Sequence, residues 1–131
     1  MRVFMTRVFA RFARKEGLDD RRLCEAVARA ERGAVDADLG GGLIKQRVAR
    51  PGGGRSGGYR TVVAFRTAER SVFLYGFAKN ERANIDVAEL TDLKKLAKLV
   101  LAYTDRQIAK AVAEQELKEL PYADDEEEHG R

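Results

Sequence analysis

The chain has 131 residues, 44% of them hydrophobic and 35% charged, a balance that fits one globular domain with a densely charged surface and excludes a disordered or fibrous chain. No apolar run reaches the roughly 20 residues needed to cross a bilayer, and a single cysteine, Cys24, cannot form an internal disulfide, so a cytoplasmic home is expected. The formal charge of +4 hides a stronger bias, because Asp124, Asp125, Glu126, Glu127 and Glu128 crowd the C-terminus and residues 1–122 carry 24 basic side chains against 16 acids.

Residues 1–5, "MRVFM", alternate weakly and suit a short strand. The opening segment through Gly17 holds five basic residues within its apolar stretch and has no small-residue cleavage site, so it does not read as a signal peptide. Thr6 is placed to cap a helix from about Arg7 to Glu16, with Val8, Phe9, Phe12 and Ala13 on one face and Gly17 at its end. Asp19 or Asp20 caps a second helix carrying Leu23, Val27 and Ala30 and stopping at Gly33; the tight turn between the two predicts a helical hairpin. "DADLGGG" reads as a loop.

The period then changes. Ile44, Gln46 and Val48 alternate with Lys45, Arg47 and Ala49, so a strand here sets Lys45 and Arg47 on one face. "PGGGRSGG" is a flexible hairpin loop, and Tyr59 to Arg66 forms the next strand, with Arg60, Val62, Ala64 and Arg66 opposite Tyr59, Thr61, Val63 and Phe65. After "TAER", Ser71 to Lys79 completes an antiparallel meander. Asp86 and Glu89 have capping-box spacing before a third helix whose stripe is Leu90, Leu93, Ala97, Val100 and Leu101, with the period continuing weakly through Ile108 and Val112. Lys94, Lys95 and Lys98 read as its solvated face. Pro121 closes the expected domain, residues 1–120, and residues 121–131 read as an acidic, mobile tail. The fold class is therefore α+β: a small antiparallel sheet packed against an N-terminal helical hairpin and a C-terminal helix.

Familiar chemistries fall away. His129, the only histidine, sits in the acidic tail, which leaves neither a histidine-based nucleophile pair nor a His/Cys zinc site; Cys24 reads as a small buried apolar residue. The glycines before Tyr59 match neither nucleotide-binding pattern and precede a strand. What stands out is a span from Leu39 to Ala68 with no Asp or Glu and with Lys45, Arg47, Arg50, Arg55, Arg60 and Arg66 in it, a local positive field suited to phosphates. RNA can be cut without a metal, because the 2′-hydroxyl attacks the adjacent phosphate in line; the protein orients the backbone, neutralises phosphoryl charge and assists proton transfer. Arginine grips a phosphate with paired hydrogen bonds, and a lysine crowded by guanidinium groups loses stability in its charged form and becomes a candidate base. A polyanion-binding face that performs no reaction fits the same residues.

The succession of a strand and two helices, then "LIKQRVA", "SGGYRTVVAFR" and "SVFLYGFAKNER", resembles the RelE/ParE superfamily of bacterial toxins in its RelE/HigB-like branch, over about residues 1–100. The most specific parts are Gly58-Tyr59-Arg60 and Ala78-Lys79-Asn80-Glu81-Arg82. The resemblance implies a type II toxin that cuts messenger RNA, typically in the ribosomal A site, and a cognate antitoxin, of helix-turn-helix type, that masks it. It implies catalytic roles for Lys45, Arg47, Arg60 and Arg82 and an RNA contact from Lys79, with no metal or small-molecule cofactor; Arg50, Arg55 and Tyr59, in the same acid-free span, are further candidate RNA contacts. The chain departs from the pattern at Asn80, where an arginine is usual, and at Asp86, near which a catalytic tyrosine is usual; Tyr59 and Tyr75 are the candidates to replace it. Two other readings stay open, a ParE-like inhibitor of DNA gyrase and a catalytically inert RNA-binding relative.

Overall fold

The computed structural model describes residues 1–50, 52, 58–82 and 84–122. Its elements run β1 (Arg2–Thr6), α1 (Arg7–Glu16), α2 (Asp20–Glu31), β2 (Ala37–Gly40), β3 (Leu43–Val48), β4 (Tyr59–Arg66), β5 (Arg70–Ala78), α3 (Val87–Leu101), α4 (Asp105–Ala113) and β6 (Leu117–Leu120). The helix starts are set by side chains that satisfy orphan N–H groups. Thr6 accepts from the Phe9 N–H, Asp19 from Arg22, and Asp86 and Glu89 form a reciprocal capping box. Gly17, left-handed at φ 72°, closes α1.

The α+β class is as expected, and β3, β4 and β5 form the expected antiparallel meander. The sheet is larger than the sequence suggested. Its six strands lie in the order β2-β3-β4-β5-β1-β6, with β1 parallel to β5 and antiparallel to β6. Three expectations are corrected. The supposed loop at residues 36–42 contains β2, paired with β3 through Ala37 and Lys45. The third helix does not run on through Val112: it ends at Leu101, and Thr104 and Gln107 build a second capping box that opens α4. Beyond α4, Leu117–Leu120 turns back as a strand on β1. The acidic residues expected to form the tail lie outside the described residues, as does Arg55.

Strand alternation divides the core into two layers. Val3, Met5, Ile44, Val48, Tyr59, Val63 and Phe73 face α1 and α2. Phe4, Leu43, Val62, Ala64, Val72 and Leu74 face α3 and α4. β1 is buried on both sides, which explains its unbroken apolar core, Val3-Phe4-Met5. A bulge at the Val62–Val63 step leaves Leu74 without a partner and re-sets the β4–β5 register, so the consecutive Leu74 and Tyr75 both meet the α3 layer. Arg66 and Arg70 are taken up by the end of α3, donating to the carbonyls of Leu101, Val100 and Tyr103, where a cation meets the negative end of the helix. Arg66 thus leaves the basic cluster to hold a helix.

Candidate nucleic-acid interface

On the α3 side of the sheet the apolar floor gives way, toward the start of β4, to charge. Lys45 lies opposite Val62 and Arg47 opposite Arg60 across the β3–β4 ladder, while Val62 and Arg60 lie opposite Tyr75 and Phe77 of β5. All six side chains therefore share one face. Lys45 and Arg60 are diagonal neighbours, a relation that places residues roughly 7–8 Å apart, with the Cβ atoms somewhat closer. The cations expected to act together are brought together.

Gly58 explains how Arg60 enters this face. A Cβ on Gly58 would stand 2.3 Å from the Val48 carbonyl oxygen, so only glycine allows β4 to start so close to the end of β3. Arg60 then turns inward. It is 9% exposed, and its Nη1, fully enclosed, has no hydrogen-bond partner. Burial, and after it the charge of Arg47, pushes its pKa down, while Asp36 acts in the opposite sense. A like-charge pair directly across a ladder is unfavourable, and an unpaired guanidinium nitrogen more so. Such a group lacks an acceptor, and its enclosed nitrogen must be uncovered before an outside anion can supply one.

Arg47 is held by a device that sequence reasoning missed. β2 stops pairing at Ala37, and beyond it the backbone of Arg47 bonds to side chains: its N–H donates to Asp36 Oδ2 at 2.7 Å, and its carbonyl accepts from Arg29 Nη2. Arg29 is buried on α2 and pairs with Glu25 at 3.0 Å and with Asp36 at 3.4 Å. Gln46, also buried, braces the same segment by accepting from the Asp36 N–H and donating to the Ala26 carbonyl. The span without acids is thus bordered by an acid from outside it. Nothing in the spacing of Arg29 and Asp36 pointed to this, because the link runs through tertiary contact.

Arg82 arrives on the site face already engaged. Its guanidinium pairs with Glu89 at 2.5 and 3.0 Å, donates to the Tyr75 hydroxyl at 3.1 Å and to the Asn84 carbonyl at 2.9 Å, and lies 5.5 Å from the Phe77 ring. Hydrogen bonding from Arg82, then from the Asp86 N–H, pulls the Glu89 carboxyl down to about 2, and the Arg82 pKa rises in turn. In this arrangement Arg82 is committed to protein partners rather than presented to a phosphate. Lys45 Nζ donates to Asn84 Oδ1 at 3.4 Å, so the Asn84 segment touches both cations.

Two expected RNA contacts lie elsewhere. Tyr59 points to the opposite face, 5% exposed, with its hydroxyl donating to Glu16 at 3.0 Å and its ring edge-on to Phe12; burial first, then that bond, raises its pKa. Arg50 lies 6.0 Å from the same ring and so belongs to that side. Alternation from Arg60 already required this separation. Lys79 and Asn80 are exposed after β5, and the Lys79 N–H donates to the Gly58 carbonyl at 3.4 Å. Of the two candidate tyrosines, Tyr75 is the one on the site face. Cys24, half-buried, has its thiol pushed up to about 11 by burial.

The geometry is complemented by comparison with known proteins. The family model described as "RelE toxin of RelE / RelB toxin-antitoxin system" matches residues 1–120. No curated protein matches the chain significantly.

Proposed function

Because this chain belongs to the RelE toxin family of toxin–antitoxin systems, we propose that it is an endoribonuclease that cuts messenger RNA on the ribosome by attack of a 2′-hydroxyl on the neighbouring phosphate. The observation that carries the reading is the buried Arg60 guanidinium, one nitrogen unpartnered, beside Arg47 and diagonal to Lys45. Turned outward from its buried position, the Arg60 guanidinium gains from a scissile phosphate the acceptor that its Nη1 lacks, and the phosphate relieves the repulsion between Arg60 and Arg47. Charge grows on the phosphoryl oxygens in the transition state, so the two guanidinium groups bind that state more tightly than the substrate. Lys45, on the same face, is our assignment for proton transfer at the 2′-hydroxyl. Arg82 is better cast as a buttress than as a phosphate ligand, because Glu89 neutralises it. Lys79 extends the RNA-contacting edge.

Membership of the family implies a cognate antitoxin. We infer a helix-turn-helix partner and a cytoplasmic site of action. The inert RNA-binding alternative draws on the engagement of Arg82 and on Asn80 and Asp86, the positions that depart from the family pattern.

An Arg60→Ala variant expressed without antitoxin is expected to fold and to permit growth, whereas the parent arrests it. Primer extension on cellular transcripts should show new ends with the parent alone, carrying 2′,3′-cyclic or 3′-phosphates and persisting in a chelator. Growth arrest by the variant, or arrest with intact transcripts and DNA damage, sinks the assignment.

A further inference from the structure

A groove of about 770 Å³ runs between α3 and the turn that joins β2 to β3. Leu101 and the backbone of Gly41, Gly42 and Phe65 line its inner side, the Phe65 ring packing with the α1 and α2 layer on the other face, and its rim carries Lys94, Lys95, Lys98 and Arg66 with no Asp or Glu among the lining residues. Arg66 is tied to the Leu101 carbonyl, but the three lysines meet no carboxylate within ion-pair distance among the described residues. Lys94 lies along the turn, its Nζ 3.6 Å from where a Cβ of Gly40 would stand. Packing closes the inner wall: a Cβ on Gly42 would come within 2.8 Å of Leu101 Cδ1, so the groove depends on a bare backbone there.

We propose that this groove is a second RNA-binding site, taking single-stranded RNA that extends from the phosphate-binding pocket; the proposal rests on the ribonuclease reading of that pocket. The groove and pocket share a sheet face and are joined by one strand. Lys45 is three residues from Gly42 on β3, about 10 Å at strand rise. Leu43, between them on that face, is buried beneath α3, so an RNA chain holding both sites passes over the outside of the β2–β3 edge, where Lys94 lies along Gly40 and Gly41. Three lysines with no carboxylate beside them can each take a backbone phosphate, so the groove tracks the RNA chain by charge and not by base stacking. An acidic peptide would match the charge, but nothing ties it to the pocket.

The test uses the full chain and a short 2′-O-methylated oligoribonucleotide, which lacks the attacking hydroxyl and so is bound without being cut. Affinity is measured across a salt series for the parent, for a Lys94→Gln/Lys95→Gln/Lys98→Gln variant, for the corresponding triple arginine variant, and for Arg47→Gln. Loss of three phosphate contacts should reduce the salt slope by about 2 and weaken binding roughly 10- to 100-fold at low salt. The arginine triple should bind like the parent. An unchanged slope and affinity in the glutamine triple, with Arg47→Gln weakened, overturns the groove and leaves the pocket standing. Absence of binding by the parent overturns both. Lysine-dependent binding of an oligoglutamate peptide, with RNA binding insensitive to the triple change, assigns the groove to an acidic protein and also overturns the proposal.

Discussion

Arg60 is where stability and function oppose each other most directly. Its guanidinium is buried, one nitrogen lacks a partner, and Arg47 stands opposite it. Replacing a buried, incompletely satisfied charge by an apolar side chain of similar volume removes a desolvation penalty of about 1–3 kcal/mol. Arg60→Met should therefore raise the midpoint of thermal unfolding by a few degrees while abolishing toxicity; a lower midpoint would mean that Arg60 is satisfied in the folded protein. Glu89 has the opposite character. Its carboxyl titrates at about 2 instead of the usual 4.5, so its contribution is complete above pH 4.5 and is lost as pH falls toward 2. Glu89→Gln keeps the capping box, since glutamine also serves at that position, yet loses the ion pair. The variant should be less stable than the parent at neutral pH and converge with it between pH 4.5 and 2, as followed by thermal unfolding; a constant gap over that range would reject the cause. At this scale the sequence exposed the cations Lys45, Arg47 and Arg60, because strand alternation makes face partners readable. It hid the acids, because Glu89 reads only as a helix cap and Asp36 as a loop residue, and charge compensation across the fold leaves no local pattern.

Among the elements, β3 is the one that aims the site, and its outer side is completed by an ion pair instead of a strand. Asp36 and Arg29 occupy the two backbone groups of Arg47 that a longer β2 would have paired. A hydrogen bond of this kind contributes about 1–1.5 kcal/mol, or about tenfold in local opening. Asp36→Ala should accelerate amide exchange at Arg47 by roughly that factor and leave the β3–β4 ladder protected; unchanged exchange at Arg47 would show that the carboxylate does not hold the strand. Elements with strong local signals were legible: α1 from Thr6 to Gly17, α3 from its Asp86–Glu89 box, and the meander from its alternation. β2 was not, since its four residues include Asp38 and Gly40 and only Leu39 is a large apolar residue. The break between α3 and α4 was masked by an apolar period that survives the Thr104 cap, and Leu117 and Leu120, three apart, suit a helix as well as the strand they form.

Across the whole molecule, the feature least accessible from sequence is the extension of the sheet by β1 and β6. β1 pairs in parallel with β5, from which it is separated by about half of the chain, and β6 then covers its other side. Neither partner leaves a short-range signature, because both pairings depend on loop closure over the intervening elements. Helices cover both faces of the sheet, and the cluster of Lys45, Arg47 and Arg60 lies on strands away from the β1–β6 side. β6 contributes Leu117 at 5% and Leu120 at 3% exposure. It also receives the bidentate contact from Arg2 to Glu119 at 2.9 and 2.8 Å. The two leucines together bury apolar area worth about 3–6 kcal/mol, against a total stability on the order of 5–15 kcal/mol for a domain. Removing β6 also leaves β1 as a bare edge, with Val3, Phe4 and Met5 in line for pairing with another chain. A chain ending after Glu116 should therefore unfold or self-associate at ambient temperature, whereas one ending after Tyr122, which discards the acidic segment but keeps β6, should retain the parent's unfolding midpoint and its toxicity. Circular dichroism and size-exclusion chromatography of the two truncations separate these outcomes: a monomeric, cooperatively folded chain ending at Glu116 would show that the sheet is held by its meander and helices alone.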